Sequence, residues 1–327
     1  MDNLIQGDTR NQNSKPLRVV IFAGSSVCIG SLNMLHQQQL LAGVIISEQN
    51  DAFNQQLLSW LQYMSIACIQ LSQQNNPQVA EQLTRWEADL AFNFAFEPAQ
   101  LELYAHLPSY GLFHCHLSAY PAYQGPMPLY WQLRNSCKQV QISLQKAGVA
   151  AIAPALLMDI ALKQIIEIHP LDTLQSLENK LTAQIAPLLH SFIQELEQQN
   201  GDIQLSVAEG EASLAPQVQE QDLTVNWAEM NSEQICALAR AGNPHFGGGT
   251  VILGNTAFSL LQASIIDYPT YGVPAGTICY SGEPNGVIVA TKDGAIRLDI
   301  LSNADGIFSA VAFAERFQIS AGMAFGH

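Results

Sequence analysis

The predominantly apolar run Leu17 to Ala23 stops at Gly24-Ser25-Ser26, after which Val27, Ile29, Leu32 and Leu35 recur at helical spacing. This predicts a buried strand, a tight turn and a helix, the opening of an α/β sheet. The alternation continues along the chain. Strands are predicted at Leu41–Ser47, Cys68–Leu71 and Leu90–Phe96, and helices at Gln55–Met64, Pro77–Trp86 and Pro98–Ala105. Strands separated by helices pair in parallel through right-handed crossovers, so the N-terminal region reads as a doubly wound, mainly parallel sheet.

From Gly111 to Ser118 the pattern changes to strict alternation. Phe113, Cys115 and Leu117 take one face, and His114, His116 and Ser118 take the other. The Pro-, Gly- and Tyr-rich stretch that follows can extend neither a strand nor a helix, and a helix is predicted from Pro128 to Asn135. Two titratable rings at the end of a strand, followed by an ordered loop, mark a candidate site at the C-terminal edge of the sheet. Gly24 and Gly30 do not make a G-x-G-x-x-G dinucleotide fingerprint, so a nicotinamide cofactor is not indicated.

Further extended segments fall at Val140–Gln145 and Ala155–Ala161, and apolar residues at helical spacing run through Leu174–Glu197, with a kink or break expected at Pro187. Residues from about Gly201 to Leu223 lack periodicity and read as a linker. After a helix at Ser232–Arg240 come short strands at Thr250–Leu253, Phe258–Ile266, Gly276–Tyr280, Val287–Ala290 and Ala295–Leu301, the pattern of a small β-barrel. The division expected is a polar arm at 1–16, an α/β domain at 17–203, a linker at 204–223 and a smaller C-terminal β-barrel, OB-like, at 224–327.

Composition narrows the functional classes. Of 327 residues 48% are hydrophobic and 13% charged, as in folded globular proteins. The formal net charge of -15, with no run of Lys or Arg, argues against a broad nucleic-acid surface. The six cysteines are scattered, with no C-x-x-C pair, and read as thiols in a reducing compartment. No signal peptide and no membrane-length apolar run is apparent, and a cytoplasmic protein is expected.

The segment from His114 to Trp131 resembles the signature of the folate-dependent formyltransferases, Asn-x-His-Pro-Ser followed by Pro-x-x-x-Gly-x-x-Pro and a helix carrying Trp. His116, Ser118, Pro121, Gly125, Pro128 and Trp131 match it. His114 stands at the family's catalytic Asn, Leu117 at its Pro, and Ala122 and Gln124 where tRNA-formylating members carry arginines. The block with Asn226-Trp227, Arg240-Ala241-Gly242-Asn243-Pro244 and Ala290-Thr291-Lys292-Asp293-Gly294 is similar to the family's C-terminal domain, so the resemblance runs from Leu17 onward.

The resemblance implies a formyltransferase-like, Rossmann-type domain and 10-formyltetrahydrofolate as cofactor. His116 and His114 become the catalytic candidates; Phe94, Phe96, Glu97, Ala151 and Ala153 would line the cofactor site, and Ser118, Pro121, Gly125 and Pro128 would form the substrate loop. In the family a Leu-Asp-Thr-Gly loop supplies an Asp that orients the His. Aligned by the flanking strands, that Asp falls on Ala151, its Thr on Ile152 and its Gly on Ala153. Glu48–Asn54 is short and acidic where tRNA-formylating members have a long basic loop, which argues against a tRNA substrate.

Three functions follow. One is N-formyl transfer, as part of one-carbon metabolism, to a small-molecule or carrier-bound amine. Another is a binding or scaffold protein on the same fold, a pseudoenzyme with a degenerate triad. The third is a pocket reshaped for another acyl or nucleotide ligand. His114-Cys115-His116 lacks further ligands at a recognisable spacing, so no metal is assigned. Cys115 is expected to pack in the core, and Gly247–Gly249 to turn the chain into the barrel.

Overall fold

The computed structural model describes residues 15–48, 51–72, 76–148 and 158–326. Most of the polar arm lies outside these residues, as do Ala151, Ile152 and Ala153. The described chain forms two compact units. One runs up to His114 and includes Lys146 to Gly148; the other comprises Cys115 to Gln145 and Met158 onward.

The first unit is a parallel sheet. Its strands are β1 (Val19–Ala23), β2 (Leu41–Ser47), β3 (Cys68–Leu71), β4 (Leu90–Phe94) and β5 (Leu112–His116), in the order β3-β2-β1-β4-β5. The helices α1 (Ile29–Gln37), α2 (Ala52–Tyr63), α3 (Asn76–Arg85) and α4 (Pro98–Leu101) connect them. Every residue of β1 and β4 is buried, as expected of parallel strands covered on both faces. On one face Val20, Phe22, Ile45, Val79, Leu83, Trp86, Tyr104 and Leu112 form a continuous core.

Two boundaries differ from the sequence pattern for local reasons. α2 starts three residues before the expected Gln55, because the Asp51 carboxylate accepts the Asn54 N–H at 2.7 Å and caps the helix there. β4 ends at Phe94 rather than Phe96, because Ala95 takes a φ of 65° and turns the chain out of the ladder.

The second unit begins within β5 and continues through α5 (Pro128–Arg134), β6 (Gln139–Lys146), β7 (Met158–Glu167) and α6 (Leu174–Gln198). β6 and β7 pair antiparallel, and the short β8 (Ser206–Val207) pairs with β7. α6 opens on a Thr173–Ser176 capping box and runs through Pro187 as one 25-residue helix, so the chain does not break there. Pro187 and Ala183, whose carbonyl loses its helical donor, both face solvent, while Ile185 and Leu189 are buried. The open carbonyl lies on the exposed face, where solvent can reach it, and the buried stripe holds the helix together.

The segment read as a linker is tied down. Gln124 N–H donates to the Ser213 carbonyl and Ala215 N–H to the Gln124 carbonyl, each at 2.7 Å. A Cβ on Gly125, whose φ is +133°, would lie 2.5 Å from the Ala215 oxygen, so this close approach requires glycine.

After α7 (Glu220–Leu223) and α8 (Ser232–Gly242) comes a curled antiparallel sheet. Its strands are β9 (Gly249–Leu253), β10 (Thr256–Ile266), β11 (Ile278–Gly282), β12 (Gly286–Ala290), β13 (Ala295–Asn303), β14 (Gly306–Ser309) and β15 (Phe325–Gly326), with α9 (Ala310–Arg316) between the last two. The order is β11-β12-β13-β10-β9-β15, with β14 on β13. Phe325 N–H donates to the Gly276 carbonyl and Ile278 N–H to the Met323 carbonyl, so the two ends of that order exchange hydrogen bonds. Trp227, Ile235, Leu238, Val251, Phe258 and Phe313 fill the interior. Among the described residues no helix is long and apolar enough to cross a membrane.

Candidate functional site

β5 carries both imidazoles, and each has partners within its own unit. His114 is 3% exposed, and its Nδ1 lies 2.8 Å from Nδ2 of Asn93, itself 3% exposed on β4. The Asn93 amide also bonds both backbone groups of Phe96: Nδ2 donates to the carbonyl at 2.9 Å, and Oδ1 accepts the N–H at 3.1 Å. The turn after β4, the side chain of Asn93 and the ring of His114 are therefore one hydrogen-bonded assembly. Phe94 is buried at the end of β4, Phe96 packs edge-on against Phe22, and Glu97 is exposed just before Pro98 opens α4.

In the second unit, His116 is half-buried. Its Nε2 lies 2.7 Å from Oε1 of Gln145, which is 7% exposed near the end of β6, and its ring stacks on Tyr120 with centroids 4.6 Å apart. The pair is a hydrogen bond with Nε2–H as donor when the ring carries its proton on that nitrogen. The backbone beyond the ring is held by side chains. Ser143 donates to the carbonyl of Ser118, itself buried, and Gln132 donates to that of Leu117, both at 2.8 Å. Pro121 accepts from the Gln124 side chain, Gly125 meets Ala215, and Pro128 opens α5, whose Trp131 donates to the Pro216 carbonyl.

Of the residues singled out in the sequence, Phe94, Phe96 and His114 thus come together around Asn93, and His116, Ser118, Pro121, Gly125 and Pro128 lie along one braced segment. Ala151 and Ala153 lie outside the described residues. Asn93, Gln145 and Tyr120 were not picked out. A signal was present: Asn93 is a lone amide inside the apolar strand Leu90-Ala91-Phe92-Asn93-Phe94, where a buried polar group needs a partner. Burial pushes the Cys115 thiol up to about 12, which fits a packed thiol and not a nucleophile. Among the described residues no group of three or more metal-ligating side chains converges.

Chemically, the strand end offers imidazole nitrogens whose orientation is set by buried amides. Such groups polarise a carbonyl or relay a proton.

Residues 217–318 match the family model described as the C-terminal domain of formyl transferases. The chain is 25% identical over 247 residues to a methionyl-tRNA formyltransferase of Nitrosomonas europaea, covering 75% of this chain and 74% of the relative. Its fold is similar to that of an N-formyltransferase from Helicobacter canadensis solved with folinic acid and dTDP-3-aminofucose, with a TM-score of 0.60 at 16% identity, over 86% of this chain and 98% of that one. It is also similar to HypX from Aquifex aeolicus solved with tetrahydrofolic acid, with a TM-score of 0.56 at 12% identity, covering 94% of this chain and 48% of HypX.

Proposed function

Because the chain belongs to the folate-dependent formyltransferase family, we propose that it moves the formyl group of 10-formyltetrahydrofolate to an amine, with His116 and His114 as the polar pair at the reacting carbonyl. The hydrogen bond from His116 to Gln145 carries this reading. A histidine that works on a carbonyl must be held in one orientation, and a buried acceptor on a neighbouring strand element does so here. Gln145 takes over the orienting role that the missing carboxylate has in the family, though without its charge.

The donor set fits a formyl group, since imidazole N–H groups are hydrogen-bond donors suited to a carbonyl oxygen. When bound, the folate supplies the activated formyl carbon. Phe94, Phe96 and Glu97 would hold it, and Ser118, Pro121, Gly125 and Pro128 would line the acceptor side. The acceptor is a small-molecule or carrier-bound amine; the net charge of -15 opposes a tRNA.

One observation favours a second reading. Gln145 is an amide, so it lends no charge to an imidazolium, and losing one such electrostatic group costs about two to three decades in rate. A protein that binds the folate without transferring its formyl group would have this site. Calorimetric titration with the stable analogue 5-formyltetrahydrofolate, on the parent and on His116→Ala, tests whether the donor site exists. Binding weakened by the substitution supports it; no heat with either protein removes both folate readings.

A further inference from the structure

Asn93 interrupts an apolar, buried strand, and both ends of its side chain are committed. Oδ1 accepts the Phe96 backbone N–H at 3.1 Å, and Nδ2 donates to the Phe96 carbonyl at 2.9 Å. A backbone N–H and a backbone carbonyl cannot exchange roles, so together they fix which end of the amide is nitrogen. The second Nδ2 hydrogen is left for His114 Nδ1, 2.8 Å from that nitrogen. Nδ1 must accept it, because an Nδ1–H there would set one donor against another.

We infer that Asn93 is a positioning residue that locks His114 as the neutral imidazole with its single proton on Nε2. Burial acts in the same direction. At 3% exposure, an imidazolium facing an amide N–H would carry both a desolvation cost and a dipolar repulsion.

The consequence for catalysis rests on the formyltransferase reading. A His in place of the family's Asn raises the problem of a second cation on the strand that carries His116, which would oppose protonation of that ring. The Asn93 lock removes it. His114 becomes a neutral group whose one N–H donor sits at a known atom, the electrical equivalent of an amide donor, and His116 is left as the ring that can carry charge.

The test is a long-range 1H–15N correlation spectrum of the labelled full chain at neutral pH, with the His114 signals assigned by their loss in His114→Gln. The expected pattern is a pyridine-type Nδ1 and a pyrrole-type Nε2. In Asn93→Asp, an acceptor faces Nδ1, and the ring should switch to an Nδ1-protonated form. Asn93→Ala, which removes the donor and puts no acceptor in its place, should give shifts averaged between tautomers. An Nδ1-protonated or averaged His114 in the parent protein overturns the inference, whether or not either variant folds. So does a His114 pattern that neither substitution alters. Adding 5-formyltetrahydrofolate to the same sample separates the two failures. The locked tautomer without a ligand-induced shift leaves the positioning role standing and counts against the folate reading. A ligand-induced shift on the wrong tautomer does the reverse.

Discussion

Replacing Gln145 with Glu puts a carboxylate where a buried side chain meets His116. The Nε2 to Oε1 distance is 2.7 Å, which places the two charge centres about 4 Å apart once the ring is protonated. At an effective dielectric of about 20 the attraction is about 4 kcal/mol, equivalent to roughly three pKa units. His116 is half-buried, so solvent screens part of this, and the carboxylate gives up hydration of its own at a position that is 7% exposed. The expected net result is a His116 pKa higher than in the parent, the direction a close opposite charge imposes.

The sign for stability follows. A histidine whose folded-state pKa is raised contributes stability that is complete below its unfolded value of about 6.5 and is lost as pH rises through the folded value. Gln145→Glu should therefore lose more stability at alkaline than at mildly acidic pH, because the buried carboxylate is then left beside a neutral ring. The assay is an NMR titration of the His116 Cε1 proton in both proteins, paired with denaturant melts at the two pH extremes. A His116 pKa that does not rise in the variant would contradict the contact with residue 145.

Three further outcomes follow from the packing. Gly125→Ala places a methyl 2.5 Å from the Ala215 oxygen at a φ of +133°, so denaturant melts should show a loss of about 1–3 kcal/mol, and an unchanged midpoint would mean the segment around Ala215 is not held there. Burial would raise the Asp172 carboxyl, but the Lys180 ammonium, the His169 N–H and the Ser176 hydroxyl together hold it below the usual carboxylate range. Its contribution is present above an unfolded pKa of about 3.9 and fades as pH falls through the lowered folded value, so the stability gap to Asp172→Asn should close in acid; a constant gap contradicts this. Burial also pushes the thiols of Cys115 and Cys236 up to about 12, so mass spectrometry should find both unmodified after native alkylation and modified after denaturation; fast native labelling would contradict their packing.

The fold was legible because its signals are large and repeated. The parallel strands are apolar on both faces, the helices between them carry apolar stripes, and short alternating strands with turn residues mark the curled sheet. What escaped depends on where a single side chain points. The continuity of α6 through Pro187 turns on which face the proline takes. The end of β4 turns on the φ of Ala95 and on the Asn93 amide, which local pattern treats as one polar residue in an apolar run. The site divides in the same way. His114 and His116 are candidates from their alternation and from the formyltransferase resemblance, whereas Asn93 and Gln145 come into view only through contacts with residues 21 and 29 positions away. No period of two or 3.6 reports a partner at that separation.

The central claim is formyl transfer, and a single-turnover assay tests it most directly. The protein is incubated with 10-formyltetrahydrofolate labelled in the formyl carbon and with a panel of amines: amino-sugar nucleotides, free small amines, amines tethered to a carrier, and aminoacyl-tRNA as the comparison. The account predicts labelled formyl on a small-molecule or carrier-bound amine, none on the tRNA, and loss of the product in His116→Ala. Donor binding with no label transferred above the level of that variant would contradict it, and would leave a protein that holds the folate without using it.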